Sequence, residues 1–296
     1  MIEPAQVSCV IPYAGAVNYI SEAVDSALAQ KFGEIIVVND GFEAAPLAVF
    51  SAERSVRLIH LPKPVGCPLA RNAGLKACAN PYVVLLDHDD VLCPGHLAAI
   101  LAWVGQQHLR CAAATLRYIG ESSRRVGSRV SRDKDFFLPS GFFAELALIA
   151  EAGYFPDSLG DDYLFFQAIR RRTKLTTCPA AQVLYRIHPQ AESSRNIKSW
   201  WAFNQLLPLY EAGSLSLAEL NLLAKDYAAH GKIPAGLEAQ FQSACPAMVR
   251  LLSRSAYACW LNRDLLGVLK YGTKLTPHIP QLIRMARYKW RRPPAA

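Results

Sequence analysis

Short apolar runs alternate with amphipathic segments along the first 120 residues of the chain. Runs rich in β-branched residues predict buried strands, at residues 7–12, 34–40, 56–61 and 82–86. Helical spacing of apolar and small residues predicts three helices, one after an N-cap at Asn18, one over 66–79 and one over 96–107, before a further strand over 111–119. This alternation predicts an α/β fold of the Rossmann-like type, with a mostly parallel sheet covered by helices on both faces.

The pattern changes after residue 120. Residues 121–135 are polar and basic and predict a loop. Three further elements are predicted after it: a helix over 142–151, a helix opening at Asp161 and a short strand over 181–188. From about residue 197 the pattern predicts several helices. We therefore expect an α/β domain over residues 1–195 and an α-helical region over residues 196–296.

Composition supports a globular, intracellular protein. Hydrophobic residues make up 52% of the 296 residues and charged residues 19%, so a buried core is expected and disorder is not. The N-terminus carries Glu3 and Pro4 where a signal peptide has basic residues, and the eight cysteines are scattered without a CxxC pair. These features predict a cytoplasmic location. The net charge of +8 predicts an anionic partner, without choosing between nucleic acid, lipid headgroups and a phosphorylated substrate.

Three carboxylates, those of Asp87, Asp89 and Asp90, crowd together directly after the predicted strand over 82–86. In parallel sheets, ligands bind outside the carboxyl ends of the strands. Carboxylates one residue apart can share Mn²⁺ or Mg²⁺ with substrate phosphates, and the cation removes their mutual repulsion. The alternative is an acidic turn that caps the next helix. His88, between the carboxylates, is expected to be a spacer rather than a ligand.

Other polar residues are predicted to lie near the same edge. Asp40 follows the second strand and either accepts hydrogen bonds from a base or ribose, or belongs to a simple turn. Arg71, near a helix N-terminus, suits a diphosphate, although a surface arginine is equally compatible with the pattern. Asp161 and Asp162 open a helix, where they either cap it or provide a general base. A capping carboxylate is expected to have a low pKa, which makes it a modest base.

In combination these elements resemble the family-2 glycosyltransferases with the GT-A fold, over roughly residues 6–190. The motifs that carry the resemblance are VSCVIPYAG, IIVVNDG, VGCPLARNAG, VVLLDHDDVLCP, EAGYFPDSLGDDYLFFQAIR and YRIHPQ. The resemblance implies inverting transfer of a sugar from a nucleoside-diphosphate sugar, expected to be UDP-linked, to a hydroxyl of a glycan or lipid-linked acceptor.

The resemblance also implies a role for each motif residue. Asp162 would be the catalytic base with Asp161 beside it, and Asp90 would support the acidic loop. Asp89 and His188 would hold the Mn²⁺ or Mg²⁺ ion. The residues implied to bind the nucleotide-sugar donor are Pro12, Tyr13, Asp40, Arg71, Asp87 and Asp89.

Two motifs depart from the family pattern. The usual P-x-Y-N stands here as Pro12-Tyr13-Ala14-Gly15, and the usual D-D-G-S as Asn39-Asp40-Gly41-Phe42. Both changes affect the nucleotide pocket, and they motivate the alternative of a catalytically silent nucleotide-sugar-binding protein. The charge of +8 and the basic segment 121–135 motivate a nucleic-acid-binding protein. That alternative leaves the acidic motifs unexplained, so no nucleic acid is expected as a partner.

The C-terminal segment raises the question of a membrane. Residues 265–296 contain seven Lys or Arg and no acidic residue, with Tyr288 and Trp290 among them. Basic residues beside aromatics are typical of peripheral contact with an anionic membrane, here through residues 270–292. A basic helix with a solvated end has the same composition. Because the resemblance implies a glycan or lipid-linked acceptor, we expect the helical region 196–296 to contact a membrane surface or the acceptor. This favours peripheral attachment at the inner face of the cytoplasmic membrane.

Overall fold

The chain forms two compact units, Met1–Ala191 and Glu192–Ala296. The computed structural model describes residues 2–15, 19–42, 47, 50, 55–120, 137–188, 191, 203, 206–207, 209–211 and 213–230. The N-cap at Asn18, the segment 121–135 and the basic segment 270–292 lie outside these residues, so their predicted roles stay predictions. In the second unit the described residues include one helix, Leu217–His230. No helix in the described ranges has the length and apolar character needed to cross a membrane.

One sheet of eight strands organises the described part of the first unit. Its strands are β1 Val7–Tyr13, β2 Glu34–Asn39, β3 Val56–His60, β4 Tyr82–Leu85, β5 Val91–Leu92, β6 Cys111–Gly120, β7 Phe143–Glu145 and β8 Thr177–Ile187. Their spatial order is β3-β2-β1-β4-β7-β6-β8-β5. The pairs β3–β2, β2–β1, β1–β4 and β6–β8 are parallel, whereas β7 runs antiparallel to β4 and β6, and β5 runs antiparallel to β8. The predicted α/β fold with a mostly parallel sheet is confirmed. The antiparallel strands β5 and β7 were not predicted.

The prediction of a helix over 142–151 was wrong at its start, because strand β7 precedes the helix. Phe143 packs into one core, whereas Phe142 and Ala144 pack into the core on the opposite face of the sheet. This alternation belongs to a strand and is imposed by the neighbours β4 and β6. The strand predicted over 181–188 is also longer, since β8 begins at Thr177.

Helices cover both faces of the sheet, as predicted. In the first unit they are α1 Ile20–Leu28, α2 Cys67–Ala77, α3 His96–Gln107, α4 Leu146–Ala152 and α5 Asp161–Arg170. The second unit contains α6, Leu217–His230. Val24 of α1 and Ile100 of α3 belong to one apolar core. Leu75 of α2, Ile149 of α4 and Phe165 of α5 belong to the other. Helices α1 to α5 therefore each bury one apolar face against the sheet.

The parallel strands end at a common edge. In the β1–β2–β3 register Tyr13 lies opposite Asn39, which lies opposite His60. The chain turns sharply just beyond β2 at Gly41, whose φ is +73°. A Cβ at this position would lie 2.4 Å from the backbone carbon of Lys63, so only glycine fits. Because β1, β2 and β4 run parallel, the residues that follow each of these strands lie at the same edge of the sheet.

His96, at the start of α3, is a buried titratable residue outside the predicted site motifs. It is 1% exposed. Its Nδ1 lies 3.2 Å from the carbonyl oxygen of Gln182, and its Nε2 has no hydrogen-bond partner among the described residues. Burial lowers the pKa of His96 to about 4.

This lowered pKa makes the folded protein sensitive to acid. The unfolded imidazole takes up its proton near pH 6.5, but the folded one does so only near pH 4. We expect His96 to lower the free energy of unfolding by up to about 3 kcal/mol as the pH falls from 6.5 to 4, and to have no such effect above pH 6.5. Urea titrations across this range should show a smaller pH dependence for His96→Asn. The same slope in both proteins would contradict the assignment.

Candidate active site

The acidic loop after β4 is held by backbone hydrogen bonds. The N–H of Asp87 donates to Ser140 Oγ at 2.9 Å, and the N–H of Asp90 donates to the carbonyl of Asp87 at 3.1 Å. Asp90 is 1% exposed, and its Oδ1 accepts the backbone N–H of Arg186 at 2.8 Å. Burial raises the pKa of Asp90 well above its ordinary value, and Asp89 and Asp87 raise it further. Asp90 thus lies inside the loop and supports it, whereas Asp87 and Asp89 are partly exposed.

Asp89 and His188 face each other across this loop, although 99 residues separate them. Asp89 Oδ2 lies 2.9 Å from His188 Nε2. No group of three or more His, Cys, Asp or Glu side chains suited to a metal ion occurs within the described ranges. A carboxylate oxygen and an imidazole nitrogen are nevertheless both ligands for divalent cations such as Mn²⁺. The pair therefore fits a cation whose other ligands come from substrate phosphates and water.

Arg71 of α2 joins the acidic loop to the start of α5. Its Nη2 lies 2.9 Å from Asp87 Oδ1, and its Nη1 lies 3.4 Å from Asp161 Oδ2 and 3.7 Å from Asp162 Oδ1. The guanidinium also packs over the ring of Phe155, at 4.7 Å from its centroid. With a side chain only 3% exposed, Arg71 is not the surface arginine that the sequence left open.

Burial alone would lower the pKa of Arg71, but Cys67 and the surrounding carboxylates raise it well above its ordinary value. Arg71 therefore stays charged in this site and neutralises part of the negative charge of the two acidic motifs. Its nearest charged partners are protein carboxylates. The implied contact with the donor stays a prediction.

Asp162 lies at the edge of a buried cluster of charged side chains. Its side chain is 36% exposed, but Oδ1 is buried and has no hydrogen-bond partner among the described residues. Burial raises the pKa of Asp162 well above its ordinary value, and Asp161 raises it further, while Arg71 opposes both. The expectation of a low pKa from helix capping was wrong, because burial and the neighbouring carboxylate outweigh the helix dipole.

Three of the residues implied to bind the donor lie at the ends of β1 and β2. Pro12 and Tyr13 are buried in β1, and the Tyr13 ring packs edge-to-face against His88, with centroids 5.6 Å apart. Asp40 is 4% exposed. Its Oδ1 accepts the N–H of Val65 at 2.7 Å, and its Oδ2 accepts the N–H of Gly66 at 2.9 Å. Asp40 thus anchors the loop that leads into α2.

The two altered motifs contact each other. The Asn39 side chain holds the Phe42 backbone, accepting its N–H at 3.0 Å and donating to its carbonyl at 2.8 Å. The Phe42 side chain lies against Gly15, where an added Cβ would come within 2.4 Å of the ring. Phe42 is 41% exposed. The residues at the ends of β1 and β2 therefore depend on each other: with the Phe42 ring in this position, residue 15 has room only for glycine.

Some residues of the site were missed by the sequence reasoning. Ser140 and Phe155 carried no motif signal that distinguishes them from loop and core residues. Arg186 stands inside the quoted motif YRIHPQ, and its position two residues before His188 was the available signal. Tyr19 and Glu22, which contact Arg186, lie at the start of α1.

Comparison with known families decides the classification. The family described as Glycosyl transferase family 2 matches residues 8–172, which is more than half of the 296 residues. The chain belongs to this family. The matched region contains β1 through α5, and so includes the acidic loop, Arg71 and Asp162. The resemblance drawn from the motifs is confirmed.

Relatives in the glycosyltransferase class match parts of the chain. An uncharacterized glycosyltransferase of Rickettsia prowazekii is 40% identical over 95 residues, 31% of this chain and 29% of the relative. The uncharacterized glycosyltransferase YwdF of Bacillus subtilis is 27% identical over 167 residues, 51% of this chain and 62% of YwdF. The chain thus spans less than two thirds of either relative.

Solved structures share the fold of this family 2 chain. The crystal structure of S. aureus TarS 1-349 in complex with UDP-GlcNAc matches with a TM-score of 0.57 and 17% identity, and covers 85% of this chain and 81% of that one. The structure of TarS 1-349 alone matches with a TM-score of 0.54 over 93% of this chain and 91% of that one. The GT-A-like fold is therefore confirmed.

Proposed function

We propose that this chain is an inverting glycosyltransferase that moves a sugar from a nucleoside-diphosphate sugar, with UDP as the nucleotide, to a hydroxyl of a glycan or lipid-linked acceptor. The observation that carries the proposal is the ion-pair network in which Arg71 links Asp87 of the acidic loop to Asp162 of α5. This network lies at the carboxyl edge of the sheet, where such folds bind nucleotides. Membership of family 2 and the UDP-GlcNAc bound to the similarly folded TarS support the same donor class.

The chemistry assigns one step to Asp162. Its carboxylate accepts the proton of the acceptor hydroxyl while the hydroxyl oxygen forms a bond to the anomeric carbon of the sugar. The bond from that carbon to the diphosphate oxygen breaks, and the diphosphate leaves with the electron pair. Attack from the face opposite the diphosphate inverts the anomeric configuration. The raised pKa of Asp162 strengthens it as a base, because the best proton acceptors titrate near the working pH.

The remaining residues bind and orient the reactants. Asp89 and His188 would hold a Mn²⁺ or Mg²⁺ ion, which when bound stabilises the negative charge of the leaving diphosphate. Arg71 keeps Asp87 and Asp162 in fixed positions relative to each other. Asp40 holds the loop before α2 in place.

A catalytically silent nucleotide-sugar-binding protein is the second candidate. It is favoured by the altered motif at the end of β2, where Asn39 stands in place of a carboxylate and its side chain holds the backbone of Phe42. It differs from the enzyme in one measurable respect. A silent protein binds the donor without cleaving it, whereas the proposed enzyme releases the nucleoside diphosphate.

Donor binding is tested by thermal unfolding of the full chain with a panel of nucleotide sugars and Mn²⁺ or Mg²⁺. A donor present at 100 times its dissociation constant should stabilise the folded state by about 2.7 kcal/mol. For a domain of this size, that corresponds to a rise in Tm of about 5–10 °C. UDP-linked sugars with Mn²⁺ are expected to give this rise, and Asp89→Asn should reduce it. If no nucleotide sugar changes the Tm, the proposed donor class is wrong.

A further inference from the structure

Arg186, near the carboxyl end of β8, ties three parts of the first unit together. Its backbone N–H donates to Asp90 Oδ1 at 2.8 Å, and its Nε donates to the backbone carbonyl of Asp89 at 2.9 Å. Its Nη2 donates to Glu22 Oε2 of α1 at 2.7 Å. One side chain therefore joins β8, the acidic loop and α1.

The same guanidinium also contacts Tyr19, an aromatic neighbour of His188. Its Cζ lies 4.2 Å from the centroid of the Tyr19 ring, in the geometry of a cation–π contact. The Tyr19 ring in turn meets the His188 ring edge-on, with centroids 5.3 Å apart. Arg186 thus contacts the backbone of one member of the pair and the aromatic neighbour of the other.

The burial and charge of Arg186 suit a supporting role. Its side chain is 12% exposed, and its ion-pair partner Glu22 is 55% exposed. The guanidinium therefore has its own counter-ion on the side of α1, and its Nε is directed at the loop backbone. An arginine fork can bond two separate acceptors at once in a fixed plane, which a lysine cannot do.

We propose that Arg186 is a positioning residue that sets the affinity of the Asp89–His188 pair for a divalent cation. The inference rests on the proposed function, because it takes Asp89 and His188 as the cation ligands. Ligands that are already held in place lose less conformational freedom when the ion binds. Residues that orient ligands in this way typically change metal affinity by about 10–100-fold when they are replaced.

Mn²⁺ binding to the full chain in the presence of UDP tests this role without any turnover. It can be followed by electron paramagnetic resonance of the ion or by calorimetry. Arg186→Gln is expected to weaken Mn²⁺ binding by about 10–100-fold. Arg186→Lys keeps the charge but not the two simultaneous hydrogen bonds, so it should recover only part of the loss.

Arg110 provides a matched control. Arg110 lies just before the first residue of β6 and pairs with Glu145 and Glu151. Arg186 lies opposite Ile119, near the last residue of β6, so the two arginines are at opposite ends of this strand. Arg110→Gln removes an arginine with two hydrogen-bonded partners and should leave Mn²⁺ affinity unchanged.

The outcomes separate this inference from the proposed function. If the wild-type chain binds Mn²⁺ with UDP and Arg186→Gln binds it equally well, the positioning role is overturned and the proposed function stands. If the wild-type chain does not bind Mn²⁺ with UDP, the metal site is wrong and the inference falls with it. Should Arg186→Gln fail to fold, Arg186→Lys and Glu22→Gln are measured instead. If both of these variants bind Mn²⁺ with wild-type affinity, the positioning role of Arg186 is overturned.

Discussion

Replacing Asp162 by Asn should lower turnover by about 10²–10⁴-fold, because the amide has the shape of the carboxylate but cannot accept the proton of the acceptor hydroxyl. Donor and Mn²⁺ binding should stay close to wild type, since the Asp89–His188 pair is formed by other elements. Because the pKa of Asp162 is raised in the folded protein even with Arg71 beside it, its charged form does not stabilise the fold, so the neutral amide should not lower the free energy of unfolding. Release of the nucleoside diphosphate from the donor measures turnover.

Asp161→Asn is the matched control for this variant. It makes the same change of charge one residue earlier in α5, at a carboxylate that also pairs with Arg71, at 3.4 Å. We expect it to lower turnover far less than Asp162→Asn. Because the pKa of Asp162 is raised, wild-type kcat/KM should increase with pH as this residue ionises, and Asp162→Asn should lose that limb of the profile. Near-normal turnover in Asp162→Asn, or an equal loss in Asp161→Asn, would mean that another group is the base.

The second large effect is expected for Arg71→Met, and it concerns stability. Methionine fills a similar length but leaves Asp87, Asp161 and Asp162 without the cation that pairs with all three. Removing one partner of a buried ion pair typically costs about 3–5 kcal/mol, because the remaining charge is left uncompensated. The free energy of unfolding, from urea titration at neutral pH, should fall by that amount. The loss should shrink at acidic pH, where the unpaired carboxylates take up protons.

Arg110→Met distinguishes this effect from the loss of any arginine. Arg110 is 35% exposed, and its partners Glu145 and Glu151 are 34% and 49% exposed. Exposed ion pairs contribute about 0–1 kcal/mol, so this variant should remain near wild-type stability. An equal loss in the two variants would show that Arg71 does not neutralise a buried acidic cluster.

The sequence predicted those parts of the fold that local pattern determines. Strands β1 to β4 and helices α2 and α3 lie within a residue or two of their predicted bounds, because each has a continuous apolar run or a clear helical face. Strand β7 was not predicted, since three residues carry little pattern and only pairing with β4 and β6 makes them a strand. Short elements of this kind are determined by tertiary contacts.

The site shows the same division. The strand-end positions of Asp40, Asp87 and Asp89 follow from the alternation of strands and helices, so the edge on which they lie was predictable. The partners of Arg71 were not, because α2 and α5 are far apart along the chain and only the folded sheet brings Arg71 to Asp161. The pKa of Asp162 was predicted in the wrong direction because burial, which only the folded chain creates, raises it, and the adjacent Asp161 raises it further.

The most direct test is proton NMR of the full chain with an α-linked UDP-sugar that raises its Tm, in the presence of Mg²⁺, which unlike paramagnetic Mn²⁺ does not broaden the resonances. If Asp162 activates a hydroxyl for attack opposite the diphosphate, water as the acceptor should give UDP and a sugar that is β-configured in the earliest spectra. Asp162→Asn should form this product about 10²–10⁴-fold more slowly. An α-configured first product, or a donor that binds the wild-type chain and is never cleaved, would contradict the account.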